Sequence, residues 1–228
     1  MKVLFNCIDV HNRSGGIART AKIVENYLNK KNFRVYLNSL NGFDKRLIKS
    51  KKTFSSNNNK ILFSFRNNIL QLFSDKVIYY HPALIRSHLL TNKQYLSFIF
   101  GIDVWNIKND SRLKLIKNAN SIFSCSRFTI SKMEKIFQEK ITNAQCIWPG
   151  TDTDEIPKKE LIRSDEKFNI LILGRIVNSL KGHDVLIDSF KKLIKSFNNL
   201  RLIIVGEGEY KKKLVKLLPS LCLGTYFF

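Results

Sequence analysis

Apolar runs of strand length alternate with amphipathic segments of helix length through all 228 residues. That alternation predicts an α/β fold with parallel sheets covered on their faces. Two such series lie on either side of a polar, charged stretch. They predict two domains, 1–157 and 168–228, joined by a linker at 158–167. A βαβ unit takes ~30 residues or more, so the second series has room for two βα repeats and its sheet is expected to be incomplete. An apolar tail, Gly224-Thr225-Tyr226-Phe227-Phe228, stands where a third strand would begin.

Residues 2–8 read as the first apolar strand. Asp9 ends it and no small-residue cleavage site follows, so a buried strand is expected rather than a secretory signal. After Ser14-Gly15-Gly16, the residues Ile17, Ala21, Val24 and Leu28 recur at three-to-four spacing and predict a helix over 17–30. Ser14 is its expected cap. Strands are expected at 33–40, 60–65, 76–80, 95–100, 121–125 and 144–148. Helices are expected at 110–118 and 128–137, and a short exposed basic helix at 44–52. The second series predicts strands at 168–173 and 200–205 and helices at 183–196 and 210–218.

Hydrophobic residues make up 44% of the chain, which is globular composition. Its longest apolar runs are far too short to span a bilayer. Cys7, Cys125, Cys146 and Cys222 are scattered, with no C-x-x-C and no Cys/His cluster. That excludes a zinc-site pattern and a disulfide framework, and predicts reduced thiols in the cytoplasm, with no bound metal. Lys and Arg total 39 against 18 Asp and Glu, a net charge of +21. Such a field attracts nucleic acid, anionic lipid or phosphorylated substrates. The alternative reading of the same number is a Lys- and Asn-rich residue usage that reflects the base composition of the source genome. No helix-turn-helix, finger or aromatic RNA-binding motif accompanies the charge, so a nucleic-acid-binding protein is the weakest reading.

Three glycine-containing turns follow predicted strands. Gly174-Arg175, with Lys181-Gly182 after it, lies beyond the strand at 168–173, where ligands sit in open α/β sheets. A guanidinium and an ammonium there can neutralise a diphosphate through charge-assisted hydrogen bonds. Gly15-Gly16 lets a phosphate approach backbone N–H groups at a helix start, or simply makes a tight strand-to-helix turn. Gly206-Glu207-Gly208 reads by itself as a plain turn. None of these is G-x-G-x-x-G, so a dinucleotide fingerprint is not supported.

The segment Ile170-Leu171-Ile172-Leu173-Gly174-Arg175, then Lys181-Gly182-His183-Asp184, then Leu202-Ile203-Ile204-Val205-Gly206-Glu207-Gly208, resembles the C-terminal domain of family 4, or group 1, glycosyltransferases. Ser14-Gly15-Gly16, Gly101-Ile102-Asp103-Val104-Trp105, 124–129 and Pro149-Gly150-Thr151-Asp152 extend the likeness over nearly the whole chain.

The resemblance implies two Rossmann-like domains in the GT-B arrangement, the second incomplete here. It implies an N-terminal domain holding the acceptor and a C-terminal domain holding a nucleotide-sugar, a UDP- or GDP-sugar. Transfer would retain anomeric configuration with no metal or cofactor in the chemistry. Arg175 and Lys181 would bind the donor diphosphate, with Gly15 and Gly16 approaching it, and Gly101 and Asp103 would belong to the acceptor side. The acceptor class implied is a surface polysaccharide or lipid-linked glycan, with peripheral contact to the inner face of an anionic membrane.

Two departures from the family pattern stand out. Phe100 occupies a position where the family often has a histidine, which leaves His81 as the candidate near the transferred sugar. The family also carries two glutamates eight positions apart, and no two glutamates of this chain have that spacing. A catalytically inactive remnant or a non-catalytic binding subunit is therefore the alternative, and the 228-residue chain is expected to bind UDP- or GDP-sugars weakly without turning them over.

Overall fold

A computed structural model describes residues 1–10, 15–105, 107, 111–150, 167–177, 181–217 and 225–227. The chain divides into two compact units, Met1–Glu155 and Ile156–Phe228. Ser14, Thr151, Asp152 and all of the expected linker except Lys167 lie outside the described residues.

The first unit is built on seven parallel strands: β1 (Lys2–Val10), β2 (Arg34–Phe43), β3 (Lys52–Ser55), β4 (Lys76–Tyr79), β5 (Tyr95–Ile99), β6 (Ser121–Ser124) and β7 (Ala144–Cys146). Their order is β3-β2-β1-β4-β5-β6-β7. The direction of winding reverses between β1 and β4, so helices cover both faces. On one face Val3, Phe5 and Cys7 of β1 pack with Val35, Leu37 and Ile78 against Ala21 of α1 (Gly16–Lys30). On the other, Leu4 packs with Tyr36, Val77 and Tyr79 against Phe63 and Leu70 of α2 (Lys60–Leu72). Val104 of α3 (Ile102–Trp105), Leu113 and Ile116 of α4 (Ser111–Lys117) and Met133 of α5 (Arg127–Phe137) continue that second layer. Successive residues of β1 serve opposite layers, which is why its apolar residues run consecutively rather than alternating; buried Asn6 among them accepts from Asn38 Nδ2 at 2.9 Å.

The structure revises the expected elements of this unit at two places. Residues 60–65 are helix, the first half of α2, with the Asn59 side chain accepting from Leu62 N at 3.0 Å as its cap. Residues 44–52 are not a helix. A 3-10 turn at Lys45–Leu47, capped by Asp44, leads into β3 on the edge of the sheet. The loop 48–50 is pinned to α1 by buried Glu25, whose carboxylate accepts from Ser50 N at 2.6 Å, from Asn29 Nδ2 at 2.8 Å and from the Ser50 hydroxyl.

The second unit has three parallel strands in the order β10-β9-β8, with β8 at Phe168–Leu173, β9 at Leu200–Val205 and β10 at Thr225–Phe227. The apolar tail thus supplies a third strand. Helices α6 (His183–Leu193) and α7 (Lys211–Leu217) pack Ile187, Phe190 and Leu214 onto Leu202 and Ile204, all buried. The winding here never reverses, so both helices cover one face. The other face leaves Leu171 and Leu173 of β8 61% and 75% exposed.

Candidate functional site

Parallel strands end together, so the loops that follow them share one edge of each sheet. In the first unit that edge gathers Gly15 and Gly16, His81, Gly101, Asp103 and Cys125. Gly15, not Ser14, is the N-cap of α1; it has φ 98° and gives no side-chain cap. A Cβ added at Gly15 or Gly16 would meet nothing within 4 Å. Among the described residues no side chain covers the helix start or caps its first N–H groups.

Gly101 and Asp103 form a local turn after β5. Asp103 Oδ1 accepts from Gly101 N at 2.5 Å, and its carboxylate also accepts from Phe100 N at 3.1 Å. Gly101 sits at φ 138°, and a Cβ there would stand 2.9 Å from the Trp105 ring. That indole donates to Thr129 Oγ1 at 3.2 Å and meets Phe128 edge-on. The Gly-x-Asp pattern thus shapes the loop, with the carboxylate engaged by backbone donors.

His81 follows β4 and caps the 3-10 turn Pro82–Ser87, its Nδ1 accepting from Ala83 N at 3.1 Å. An accepting Nδ1 puts the proton of the neutral ring on Nε2. Burial pushes the pKa of His81 below its ordinary value; Asp103 opposes that shift and Arg112 reinforces it. The imidazole is therefore held neutral and presents an N–H donor rather than a base. Cys125 donates to the Phe100 carbonyl oxygen at 2.9 Å, and burial raises its thiol pKa with Asp103 adding to the effect.

Beside these loops, on the α1 side of the sheet, lies a pocket of about 200 Å³ walled by Thr20, Tyr80, Phe98, Phe100, Phe123 and Trp148. Tyr80 stacks at 4.6 Å from Phe98 and 5.2 Å from Phe100, centroid to centroid. Burial pushes the Tyr80 hydroxyl up to about 12, opposed by its hydrogen bond to Thr20. The sequence reading missed this aromatic wall. Its signal is the alternation Leu96, Phe98, Phe100, which aims three side chains at one face of β5.

In the second unit the turns after β8 and β9 are fastened to each other. Gly174 N donates to Val205 O at 2.9 Å, Ile176 N to Glu207 O at 2.8 Å, and Tyr210 N to Ile176 O at 3.0 Å. A Cβ at Gly206 would stand 1.9 Å from the Gly174 carbonyl oxygen, and one at Gly208 would stand 2.2 Å from that of Ile176. Gly206-Glu207-Gly208 is therefore more than a plain turn: its glycines let the two loops lie backbone to backbone. Arg175 and Lys181 are both exposed. Gly174 lies beside the aliphatic stem of Lys181, its Cβ position 3.9 Å from Lys181 Cγ. Among the described residues no group of three or more His, Cys, Asp or Glu could hold a metal ion.

Residues 152–225 match the family described as Glycosyl transferases group 1. That match spans nearly all of the second unit. The chain is also 27% identical over 172 residues to the uncharacterized glycosyltransferase MJ1059 of Methanocaldococcus jannaschii, covering 74% of this chain and 37% of that protein. It spans little more than a third of the length of that curated relative. Among solved structures, Anabaena Alr3699/HepE in complex with UDP aligns over 100% of this chain and 69% of its own, with a TM-score of 0.68 and 15% identity. The apo lipopolysaccharide outer core galactosyltransferase WaaB aligns over 100% and 68%, with a TM-score of 0.64 and 16% identity. The UDP-GlcNAc 2-epimerase of Neisseria meningitidis bound to UDP-GlcNAc aligns over 100% and 72%, at 0.57 and 15%. These likenesses show the α/β GT-B fold, which transferases and an epimerase share; residues 152–225 add a similarity to group 1 glycosyl transferases.

Proposed function

We propose that this group 1 chain takes part in sugar transfer from a UDP- or GDP-sugar to a glycan acceptor, with retention of anomeric configuration. The glycosidic bond from the sugar to the donor diphosphate breaks, a bond to an acceptor hydroxyl oxygen forms, and that hydroxyl gives up its proton. Arg175 and Lys181 hold the departing diphosphate through charge-assisted hydrogen bonds. In the first unit, the start of α1 at Gly15 and Gly16 offers N–H donors of the kind that bind phosphate. His81 serves as a neutral Nε2–H donor at the acceptor side, beside the Gly101–Asp103 turn. The aromatic pocket gives the acceptor a ring face to stack on. The acceptor is a surface polysaccharide or a lipid-linked glycan, and a lipid-linked acceptor places the protein at an anionic membrane face. The chemistry asks for no cofactor or metal.

The observation that carries this reading is the glycine-fastened pair of turns after β8 and β9, with the exposed Arg175 on it and the Lys181 stem alongside Gly174. Calorimetric titration of the 228-residue chain with UDP and GDP tests it. One nucleotide is expected to bind, and Arg175→Ala and Lys181→Ala are each expected to weaken it about 10-fold or more, as loss of a charged hydrogen bond worth about 1.5–3 kcal/mol implies. Unchanged affinity in both variants would overturn the assignment. NMR of the anomeric proton of any transfer product tests retention.

A further inference from the structure

The pocket on the α1 side of the first sheet has walls made almost wholly of carbon. Val24 of α1, Phe98 of β5, Phe100 just after it, Phe123 of β6, and Ile147 and Trp148 beyond β7 enclose it. Among the described residues no charged side chain lines it. Polar side chains reach it at four places, and each is already engaged. Thr20 Oγ1 donates to Gly16 O at 3.0 Å and to Ile17 O at 3.1 Å. The Tyr80 hydroxyl is hydrogen-bonded to Thr20. Ser124 Oγ donates to Ser126 O at 3.0 Å, and Cys125 Sγ to Phe100 O at 2.9 Å. A guest hydroxyl entering between these walls would leave its water partners and meet no free hydroxyl or thiol donor in exchange.

Size and ring geometry narrow the guest further. An apolar cavity of ~150 Å³ is enough to hold benzene, so about 200 Å³ fits one six-membered aromatic ring with a small substituent. The wall presents a row of tilted rings across three neighbouring strands. The Tyr80 and Phe98 centroids are 4.6 Å apart at 38°, and those of Phe98 and Phe123 are 5.0 Å apart at 43°. Phe100 stands more steeply, at 59° to Tyr80. Phe98, Phe100 and Phe123 are only half-buried, and Trp148 at the rim is exposed. Their free ring surface favours another ring in an offset or edge-on arrangement. A pyranose would also offer a C–H face, but it would carry hydroxyls at its edge into the carbon wall. The pocket adjoins the loops assigned to the acceptor side: Thr20 lies one helical turn after Gly16, and Phe100 precedes Gly101.

We propose that this pocket is a binding site for a single hydroxyl-free aromatic ring, carried by the acceptor as its aglycone, with the acceptor's sugar hydroxyls remaining outside. The proposal rests on the acceptor reading only for which molecule carries the ring; binding of the ring itself needs no donor and no transfer. The test is calorimetric titration of the 228-residue chain with phenyl β-D-glucopyranoside and with methyl β-D-glucopyranoside, which differ only in the aglycone. The phenyl compound is expected to bind, the methyl compound about tenfold or more weakly, and toluene to compete with the phenyl compound. Nuclear Overhauser contacts from the aryl protons to the Val24 and Ile147 methyls should locate the ring. Phe98→Leu keeps an apolar wall and removes a ring, and Trp148→Ala removes a ring from the exposed rim. Each should weaken phenyl binding about threefold or more with an unchanged circular dichroism spectrum. Equal affinity for the two glucosides would mean that the pocket takes sugar and would overturn the proposal. So would the absence of binding by both, or phenyl binding that gives no contacts to the two methyls and ignores both substitutions. Nucleotide affinity is read separately on the same protein: aryl binding without nucleotide binding would remove the donor reading and leave this site standing, and the reverse would do the opposite.

Discussion

At Gly206 the backbone has φ 150° and a Cβ would overlap the Gly174 carbonyl oxygen; at Gly16 a Cβ would meet nothing within 4 Å. The two glycines should therefore respond oppositely to alanine. Gly206→Ala forces apart the turns after β8 and β9. The strained conformation alone costs about 1–3 kcal/mol, and the clash with a peptide oxygen adds to it. Urea unfolding of the second unit, followed by hydrogen exchange at Gly174 and Ile176, should show the loss. Gly16→Ala stiffens the first turn of α1 without a clash and should raise the stability of the first unit by up to about 1 kcal/mol, read by urea unfolding of that unit. Equal effects at the two positions would contradict this account. In the sequence both are glycines just after a strand. What distinguishes them is the approach of a second backbone from 32 residues away, and no local pattern encodes that. His81 shows the complementary case. Its place after a strand was legible from the sequence, but its role as acceptor for Ala83 N depends on ring orientation, which spacing does not give.

At the level of elements, α2 explains why part of the first unit was misread. Its buried face includes Asn67 and Gln71, so the apolar residues Ile61, Phe65 and Ile69 do not mark the core side. A reading that assigns apolar residues to the interior finds no helix with a proper inner face there, and a short strand at 60–65 is the next best fit. The strands and helices around β1, β8 and β9 were legible because their apolar residues do face inward. The polar interior of α2 makes a specific expectation. Asn67→Leu keeps the branched shape but removes the donor to Tyr79 and Ser87, leaving polar groups in a dry layer. It should destabilise the first unit by about 1–3 kcal/mol, measured by chemical denaturation. A neutral or stabilising result would mean that the network is dispensable and that α2 is free to rotate its apolar stripe inward. The Glu25 clamp on residues 48–50 raises a similar question for β3. Glu25→Ala should loosen that loop and speed amide exchange in Thr53 and Phe54, with β1 and β2 unaffected.

For the whole molecule, acid and salt act through two separate terms. His81 and His88 both have pKa values lowered from 6.5 chiefly by burial. The unfolded chain therefore takes up these protons at higher pH than the folded chain does. Unfolding gains protons in the window below about 6.5, so stability falls as pH drops through 6.5 and levels off once the folded-state pKa values are passed. The second term is the net charge of +21, which repels itself in the compact state. That repulsion grows as carboxylates protonate and shrinks as salt shortens its range. Thermal unfolding should accordingly show a lower midpoint at pH 5.5 than at pH 7.5, and added sodium chloride should raise the midpoint at both. His81→Asn separates the two terms. An Asn side-chain oxygen can still cap Ala83 N, yet it does not titrate. The variant should keep the salt response and lose part of the pH response. If wild type and variant lose the same midpoint between pH 7.5 and 5.5, the neutral, capping His81 is not the group that senses acid, and its role as a held Nε2–H donor loses its support.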